Sequence, residues 1–153
     1  MLSSLESFKS VVLDQLGEGV IVADTDGRII SVNRAAEEIH GRSLIGGAPE
    51  SYSDDYQLLT MNDAPHPPEE LPLARAVLRG EDVVDAAWKI RRPDGTVVIA
   101  VGTARPVRNS EGVQIGSVLT LRDETSRVNA EQALLQALEM KELLLFEVNH
   151  RVR

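Results

Sequence analysis

Apolar residues follow two different periods along the chain, and the changes between them outline the predicted elements. Near the N-terminus Leu5, Phe8, Val12 and Leu16 recur at helical spacing until a glycine-containing stretch interrupts them. This pattern predicts a short amphipathic helix over residues 4–16.

Runs of β-branched and other apolar residues then replace the helical spacing. Residues 19–24 and 29–33 flank the pair Asp26-Gly27, which predicts a tight β-hairpin because glycine tolerates the positive φ of such turns. Asn33 follows as a helix-capping residue before a short run of helix formers.

The middle of the chain is richer in turn formers. Residues 41–68 are enriched in Gly, Pro, Ser and Asp, and we expect irregular structure with single helical turns there. The span from Glu69 to Leu78 returns to helical spacing, and Gly80 ends it.

Three further strands are predicted in the second half, and they complete an α+β fold. They cover 83–90, 96–107 and 113–122, separated by the turn sequences at 93–95 and 109–112. With the first hairpin they make a five-stranded antiparallel sheet with small helices on one face.

The C-terminal tail differs in composition from the rest of the chain. Residues 125–153 contain no Gly and no Pro and are rich in Ala, Leu, Glu and Gln, which predicts one helix of roughly 40 Å at ~1.5 Å per residue. A coiled-coil seam interrupted by Lys141 is formed by five residues at a and d spacing, namely Leu134, Leu138, Leu145, Val148 and Val152. Such a helix needs a partner to cover its apolar side chains.

Charge and composition narrow the functional class. The net charge of −8 and the lack of a long basic run argue against nucleic acid and against contact with anionic membranes. The chain has no cysteine, which fits a reducing cytoplasm, and its N-terminus lacks the basic and apolar segments of a signal peptide. No stretch approaches the roughly 18 apolar residues of a membrane span.

Several local sequences resemble those of PAS sensory domains. The hairpin at 19–29, the helix start at 32–37 and the segment 71–81 are similar to the corresponding PAS elements. Asp123-Glu124-Thr125 resembles the Asp-x-Thr element that couples the last PAS strand to an output helix. The resemblance implies a PAS domain over 18–123, preceded by the N-terminal helix (1–17) and followed by a coiled-coil output helix (124–153). It implies a signal-coupling role for Asp123 and Thr125, whose side chains could also accept hydrogen bonds from the first free N–H groups of that helix.

A shorter resemblance concerns the end of the tail. Residues 141–153 are similar to the phosphoacceptor box of HWE-type histidine kinases, in which a His-Arg-Val run lies in the first helix of the dimerisation hairpin. The resemblance implies that His150 is the phosphoacceptor of a bacterial two-component sensor kinase. It also implies a parallel homodimer through the first and last helices, a downstream ATP-binding domain and a response regulator as partners.

The predicted heptad register agrees with that role. If Val148 occupies a d position, His150 falls at f, on the side opposite the seam, where a neutral imidazole could attack a γ-phosphate. Glu147 lies one turn earlier and is a candidate for orienting the ring. The chain shows no Gly-rich phosphate loop and no metal-binding carboxylate cluster, so we expect it to be inactive without the ATP-binding domain.

Candidate cofactors are restricted by the same composition. Absence of cysteine excludes flavin–cysteinyl photochemistry and thioester-linked chromophores. Haem would need His40 or His66, but we expect His40 at a surface helix end and His66 in a stiff proline-rich loop. Trp88 is predicted to share a core-facing side of its strand with Val84, Ala86 and Ile90. Whether the domain holds a small organic ligand or a fully packed core stays open.

Two other functions are compatible with the same residues. The domain could serve only for dimerisation or protein docking without phosphotransfer, or it could be the input domain of a cyclase or a transcription regulator. The nature of the signal, and whether it activates or inhibits, are not encoded in any recognisable motif.

Overall fold

The computed structural model describes the backbone of residues 4–151 and the side chains of residues 8, 9 and 11–151. The helices are α1 (Ser4–Gln15), α2 (Arg34–His40), α3 (Tyr52–Tyr56), α4 (Pro72–Arg79) and α5 (Thr125–Arg151), with single 3-10 turns at Pro49–Ser51 and Pro68–Glu70. The strands are β1 (Gly19–Ala23), β2 (Ile29–Val32), β3 (Leu58–Leu59), β4 (Val83–Arg91), β5 (Val97–Arg108) and β6 (Gln114–Asp123).

The strands form one antiparallel sheet in the order β2-β1-β6-β5-β4-β3. The first and last long strands are therefore neighbours, with Ile21 opposite Leu119 in the middle of the sheet. The predicted α+β fold and its five main strands are confirmed. A two-residue strand, β3, adds to them inside the stretch predicted to be irregular, where Leu58 pairs with Ile90.

The first hairpin is closed by the predicted Asp-Gly turn. The Asp24 carboxylate accepts hydrogen bonds from the backbone N–H groups of Asp26 and Arg28, each at 3.0 Å. Gly27 adopts φ +86°, a conformation that a side chain would strain.

Asn33 joins this hairpin to α2. Its side-chain oxygen accepts from the N–H of Ala36 at 3.0 Å, capping the helix, and from the N–H of Val20 at 2.9 Å. Its amide group donates to the carbonyl of Glu18 at 2.8 Å. The capping role predicted for Asn33 is confirmed, and the same side chain fixes α2 against β1.

The predicted core side of β4 is wrong at one position. A bulge lies between Val83 and Ala86, where Asp85 adopts φ +53°. The extra residue turns Val84 outward, so that it is 57% exposed, and Val83 enters the core instead. Trp88 is buried among the core residues, as predicted.

The core lies between one face of the sheet and the helices α2, α3 and α4. Its fully covered members come from both layers, including Ala36 of α2, Ala74 and Ala76 of α4, and Ile90 and Leu121 of the sheet. Gly80 adopts the left-handed conformation and ends α4, as the sequence predicted.

The N-terminal helix α1 carries exposed apolar side chains. Phe8 is 66% exposed, and Leu16, directly after the helix, is 71% exposed; Gly17 follows with φ +71°. The predicted apolar stripe also includes Leu5, whose side chain lies outside the described residues.

The structure divides into two compact units between Asp123 and Glu124. The second unit is essentially α5, a continuous helix of 27 residues. No side chain of α5 is buried within the described residues. Val128 is partly covered, and the large apolar residues from Leu134 to Val148 are about half exposed or more. Val152 of the predicted seam lies outside the described residues.

The predicted seam accounts for only part of the apolar surface of α5. Leu143, Leu144 and Phe146 are also apolar and exposed, and they lie off the a and d positions. Between 143 and 148 apolar side chains therefore surround the helix. Across the described part of the chain, no helix combines the length and apolar character needed to cross a membrane.

Candidate functional site

A cavity lies between the sheet and the small helices. Its walls combine apolar residues from both layers with several aromatic rings, contributed by Ile21, Ile29, His40, Leu44, Tyr52, Tyr56, Leu58, Leu71, Pro72, Leu73, Trp88 and Leu119. The space open to the centre of a water molecule is about 30 Å³. Since one water needs about 10–15 Å³ on this measure, the cavity has room for roughly two.

Both tyrosines and the single tryptophan of the chain line this cavity. The rings of Tyr52 and Tyr56 stack with centroids 6.2 Å apart. The Tyr52 hydroxyl donates to the carbonyl of Gly27, and the Tyr56 hydroxyl donates to that of Leu44 at 2.6 Å. Burial raises the pKa of Tyr52, and it raises the pKa of Tyr56 to about 12. Both hydroxyls therefore stay protonated and are committed to backbone carbonyls.

His40 occupies the cavity wall rather than the surface, so its predicted position is wrong. Only 3% of the residue is exposed. Because His40 follows Ala36 by four residues, it lies on the same core-facing side of α2, and Gly41 ends the helix beyond it in the left-handed conformation. The spacing of four residues from the buried Ala36 is the sequence signal that indicates an inward-facing His40.

The hydrogen bond of His40 sets its tautomer, and burial keeps the imidazole neutral. Nδ1 lies 2.8 Å from the Ala36 carbonyl oxygen, which can only accept, so Nδ1 carries the proton and Nε2 keeps its lone pair. Burial lowers the pKa of His40 to about 4, and the positive charges of Arg42 and Arg92 contribute to this decrease. The ring meets Tyr56 edge-on, with centroids 6.4 Å apart.

Trp88 contributes a polar group without a partner. Its Nε1–H is buried and makes no hydrogen bond with the described residues. A buried donor of this kind usually has a protein group or an ordered water as its partner. His66, the other histidine of this unit, does not line the cavity; its Nδ1 lies 3.0 Å from the carbonyl of Pro67.

The last turns of α5 hold the predicted phosphoacceptor. His150 is exposed, and its ring lies nearly parallel to that of Phe146, with centroids 6.1 Å apart. The Glu147 carboxylate lies 3.5 Å from the guanidinium of Arg151. The roles of His150 as phosphoacceptor and of Glu147 in orienting its ring stay predictions.

The junction residues lie at the ends of their elements. Asp123 is the last residue of β6, and its carboxylate is 3.9 Å from the Arg92 guanidinium. Thr125 is the first residue of α5, and the carbonyl of Glu124 accepts the N–H of Val128 at 3.0 Å. Arg127 pairs with Glu124 and Glu131, each at 2.7 Å, within the second unit. The signal-coupling role of Asp123 and Thr125 stays a prediction.

Comparison with known families gives a match to the PAS fold over residues 13–129, most of the chain. The chain belongs to the PAS family. Solved structures agree: the PAS domain of a protein from Colwellia psychrerythraea aligns with a TM-score of 0.55 at 19% identity, covering 80% of this chain and 99% of that one. A light-oxygen-voltage domain aligns with a TM-score of 0.57 at 14% identity, covering 91% and 99%. At these identities they support the fold alone.

Among curated proteins, this PAS protein is similar to the signal transduction histidine-protein kinase AtoS of Escherichia coli K12. The two are 25% identical over 99% of this chain, which spans 24% of the length of that kinase. The similarity therefore covers one region of a much longer relative.

Proposed function

We propose that this chain is the signal-input region of a bacterial two-component sensor histidine kinase. In this proposal the PAS domain receives the signal, α5 carries it, and His150 accepts phosphate from ATP bound by a downstream domain. The similarity to a histidine kinase along nearly the whole chain, including α5, is the observation that carries the proposal.

The position of His150 supports the chemistry. Its imidazole is exposed near the end of a helix, where a nucleotide held by another domain could approach it. Histidine offers a neutral nitrogen nucleophile at cytoplasmic pH, and in-line attack on a γ-phosphate needs mainly positioning and charge neutralisation from the nucleotide-binding domain. Use of ATP would place the reaction in the cytoplasm.

A narrower part of the proposal concerns the subfamily of the histidine kinase. The sequence around Glu147, Asn149, His150 and Arg151 resembles the HWE-type phosphoacceptor box. We propose that the kinase is of this type, with Glu147 orienting the ring of His150 in the assembled enzyme.

Exposed apolar residues on α1 and α5 support a dimer. A helix with apolar side chains on all sides is normally covered by several neighbours. We propose a parallel homodimer through α1 and α5, in which the seam of α5 contacts the seam of α5 in the second protomer. In this arrangement Leu143, Leu144 and Phe146 contact a following helix of the kinase.

For the input, we propose that the cavity is the sensing site and takes a small organic ligand. The unpaired Trp88 Nε1–H would donate to such a ligand, and the His40 Nε2 lone pair would accept from it. Because the cavity has space for roughly two waters, a larger ligand would have to displace wall side chains as it binds.

Labelling of the complete kinase tests the phosphoacceptor. The full-length protein carrying this chain is incubated with γ-labelled ATP, as wild type, His150→Ala and His66→Ala. We expect His150→Ala to abolish labelling and phosphotransfer to the response regulator, whereas His66→Ala, which changes a loop residue outside the cavity, should be labelled normally. Labelling of His150→Ala at the wild-type level would reject the proposal and favour a PAS module that acts through dimerisation or docking.

A further inference from the structure

Arg92, in the turn after β4, contacts two separate parts of the PAS domain. Its Nε donates to the carbonyl of Ile39 at 3.0 Å, and its Nη2 lies 3.9 Å from the Asp123 carboxylate. The Arg92 side chain is only 30% exposed and that of Asp123 is 39% exposed. One guanidinium thus reaches both the end of α2 and the end of β6.

The end of α2 is also a wall of the cavity. Ile39 directly precedes His40, whose ring lines the cavity. Arg42 donates in the opposite direction, from Nη2 to the carbonyl of Arg91 at 3.1 Å. Two hydrogen bonds therefore cross-link the end of α2 to the end of β4, and both Arg42 and Arg92 act electrostatically on His40.

The aliphatic part of the Arg92 side chain packs against Gly41, which has no side chain of its own. A Cβ at Gly41 would lie 3.3 Å from Arg92 Cγ and 3.3 Å from Pro93 Cδ. Gly41 also needs its positive φ of 70° to end α2. The close approach of the Arg92 side chain to Gly41 places the guanidinium beside the end of α2, and the planar fork of arginine can engage two acceptors at once.

We propose that Arg92 is a positioning residue that transmits displacements of the cavity wall at α2 to Asp123, and so to the start of α5. The inference rests on the proposed function, in which the cavity is the input and α5 the output. When a ligand displaces His40 and the end of α2, the Ile39 carbonyl moves, the guanidinium that it anchors follows, and the ion pair with Asp123 shifts. Asp123 is followed by Glu124 and Thr125, where α5 begins.

A different route could connect the same two places. Leu119 of β6 lines the cavity, and Leu121 lies in the core two residues before Asp123. If β6 alone carried the displacement, the guanidinium of Arg92 would be dispensable for coupling. The two routes make opposite predictions for an Arg92 variant.

Amide chemical shifts of the chain distinguish these routes. Tyr56→Phe is the cavity perturbation, because it removes the hydroxyl bonded to Leu44 and alters the ring that contacts His40. Shift changes caused by Tyr56→Phe are measured at the amides of residues 122–128. We expect them to fall at least about threefold in an Arg92→Gln background. The matched control is Arg105→Gln, which removes an exposed ion pair with Asp82 at 3.1 Å elsewhere on the sheet and should leave the changes intact.

Asp123→Asn provides a second, independent variant. It removes the carboxylate but keeps the hydrogen bond from Arg92 to Ile39. A loss of response in Asp123→Asn therefore excludes local unfolding of the turn as the cause of the loss in Arg92→Gln. Because the Asn side chain itself alters nearby shifts, Tyr56→Phe is compared with Tyr56 within this background, and the same loss of response is expected.

Three results would overturn the role of Arg92. They are undiminished shift changes in both variants, absence of any change at 122–128 in the wild-type background, and an equal loss in Arg105→Gln. None of these measurements involves phosphate. A failed labelling experiment on His150 would therefore leave the role of Arg92 standing, and a negative result for Arg92 would leave the phosphoacceptor role of His150 standing.

Discussion

Acidification should destabilise this PAS domain through His40. In the folded chain burial lowers the pKa of this imidazole to about 4, while in the unfolded chain it returns to an ordinary value near 6.5. Between these values the unfolded chain binds a proton that the folded chain does not. Stability is therefore complete above about pH 6.5 and is lost as the pH falls towards 4.

The size of the effect follows from the same two pKa values. They differ by about 2.5, and each unit corresponds to ~1.4 kcal/mol, so the loss from His40 reaches about 2 kcal/mol at pH 5 and about 3 kcal/mol at pH 4. For a domain whose total stability is typically about 5–15 kcal/mol, this is a large fraction.

Urea unfolding measures this loss directly. Trp88 is the single tryptophan and is buried in the core, so its fluorescence reports unfolding of the PAS domain. The change in unfolding free energy between pH 7 and pH 5 is compared for wild type, His40→Gln and His66→Gln. The difference between wild type and His40→Gln isolates His40 from the titrating carboxylates, and we expect His66→Gln to resemble wild type. Equal pH dependence in wild type and His40→Gln would refute the reasoning.

Two further predictions concern positions where the structure requires one residue type. Asn33→Ala removes a helix cap and two further backbone contacts and should cost about 1–2 kcal/mol or more in urea unfolding, clearly above the cost of Asn109→Ala in an exposed turn. Equal losses would contradict the link from α2 to β1. Gly102→Ala places a Cβ 2.5 Å from the Thr120 carbonyl oxygen, so it should lower the melting temperature more than Gly112→Ala, whose Cβ meets open space and whose cost is limited to the strain of an alanine at φ +81°. The reverse order would show that the sheet can open at this point.

The sheet could be predicted from the sequence because its signals are local. Apolar β-branched residues and the turn at Asp26-Gly27 predict the first hairpin from neighbouring residues alone. The bulge in β4 has no comparable signal. At the bulge Asp85 has a positive φ, and its N–H donates to Thr103 Oγ1 of the neighbouring strand at 3.1 Å. Because Thr103 is distant in sequence, local residues do not predict this contact.

The cavity could not be predicted for a similar reason. Tyr52 and Tyr56 lie in a stretch rich in turn formers, where no long apolar period indicates burial. Their hydroxyls bond to carbonyls of Gly27 and Leu44, and these long-range contacts bring α3 against the core. The position of His40 before a helix-ending glycine predicts a surface location, although its spacing of four residues from Ala36 places it inward.

The sequence predicted the helix α5 correctly but only part of its apolar surface. A tail without Gly or Pro predicted an uninterrupted helix, which the structure confirms. The a and d seam described one side of it, but Leu143 and Phe146 add apolar surface on other sides. A heptad seam describes one contact side of a helix, so the pattern did not predict apolar surface on the other sides.

Mapping of the phosphorylated residue tests the central claim most directly. The complete kinase is incubated with ATP, digested under alkaline conditions that preserve phosphohistidine, and its peptides are sequenced by tandem mass spectrometry. The account predicts phosphate on the imidazole of His150. Phosphate confined to another residue, with the His150 peptide recovered unmodified, would contradict it.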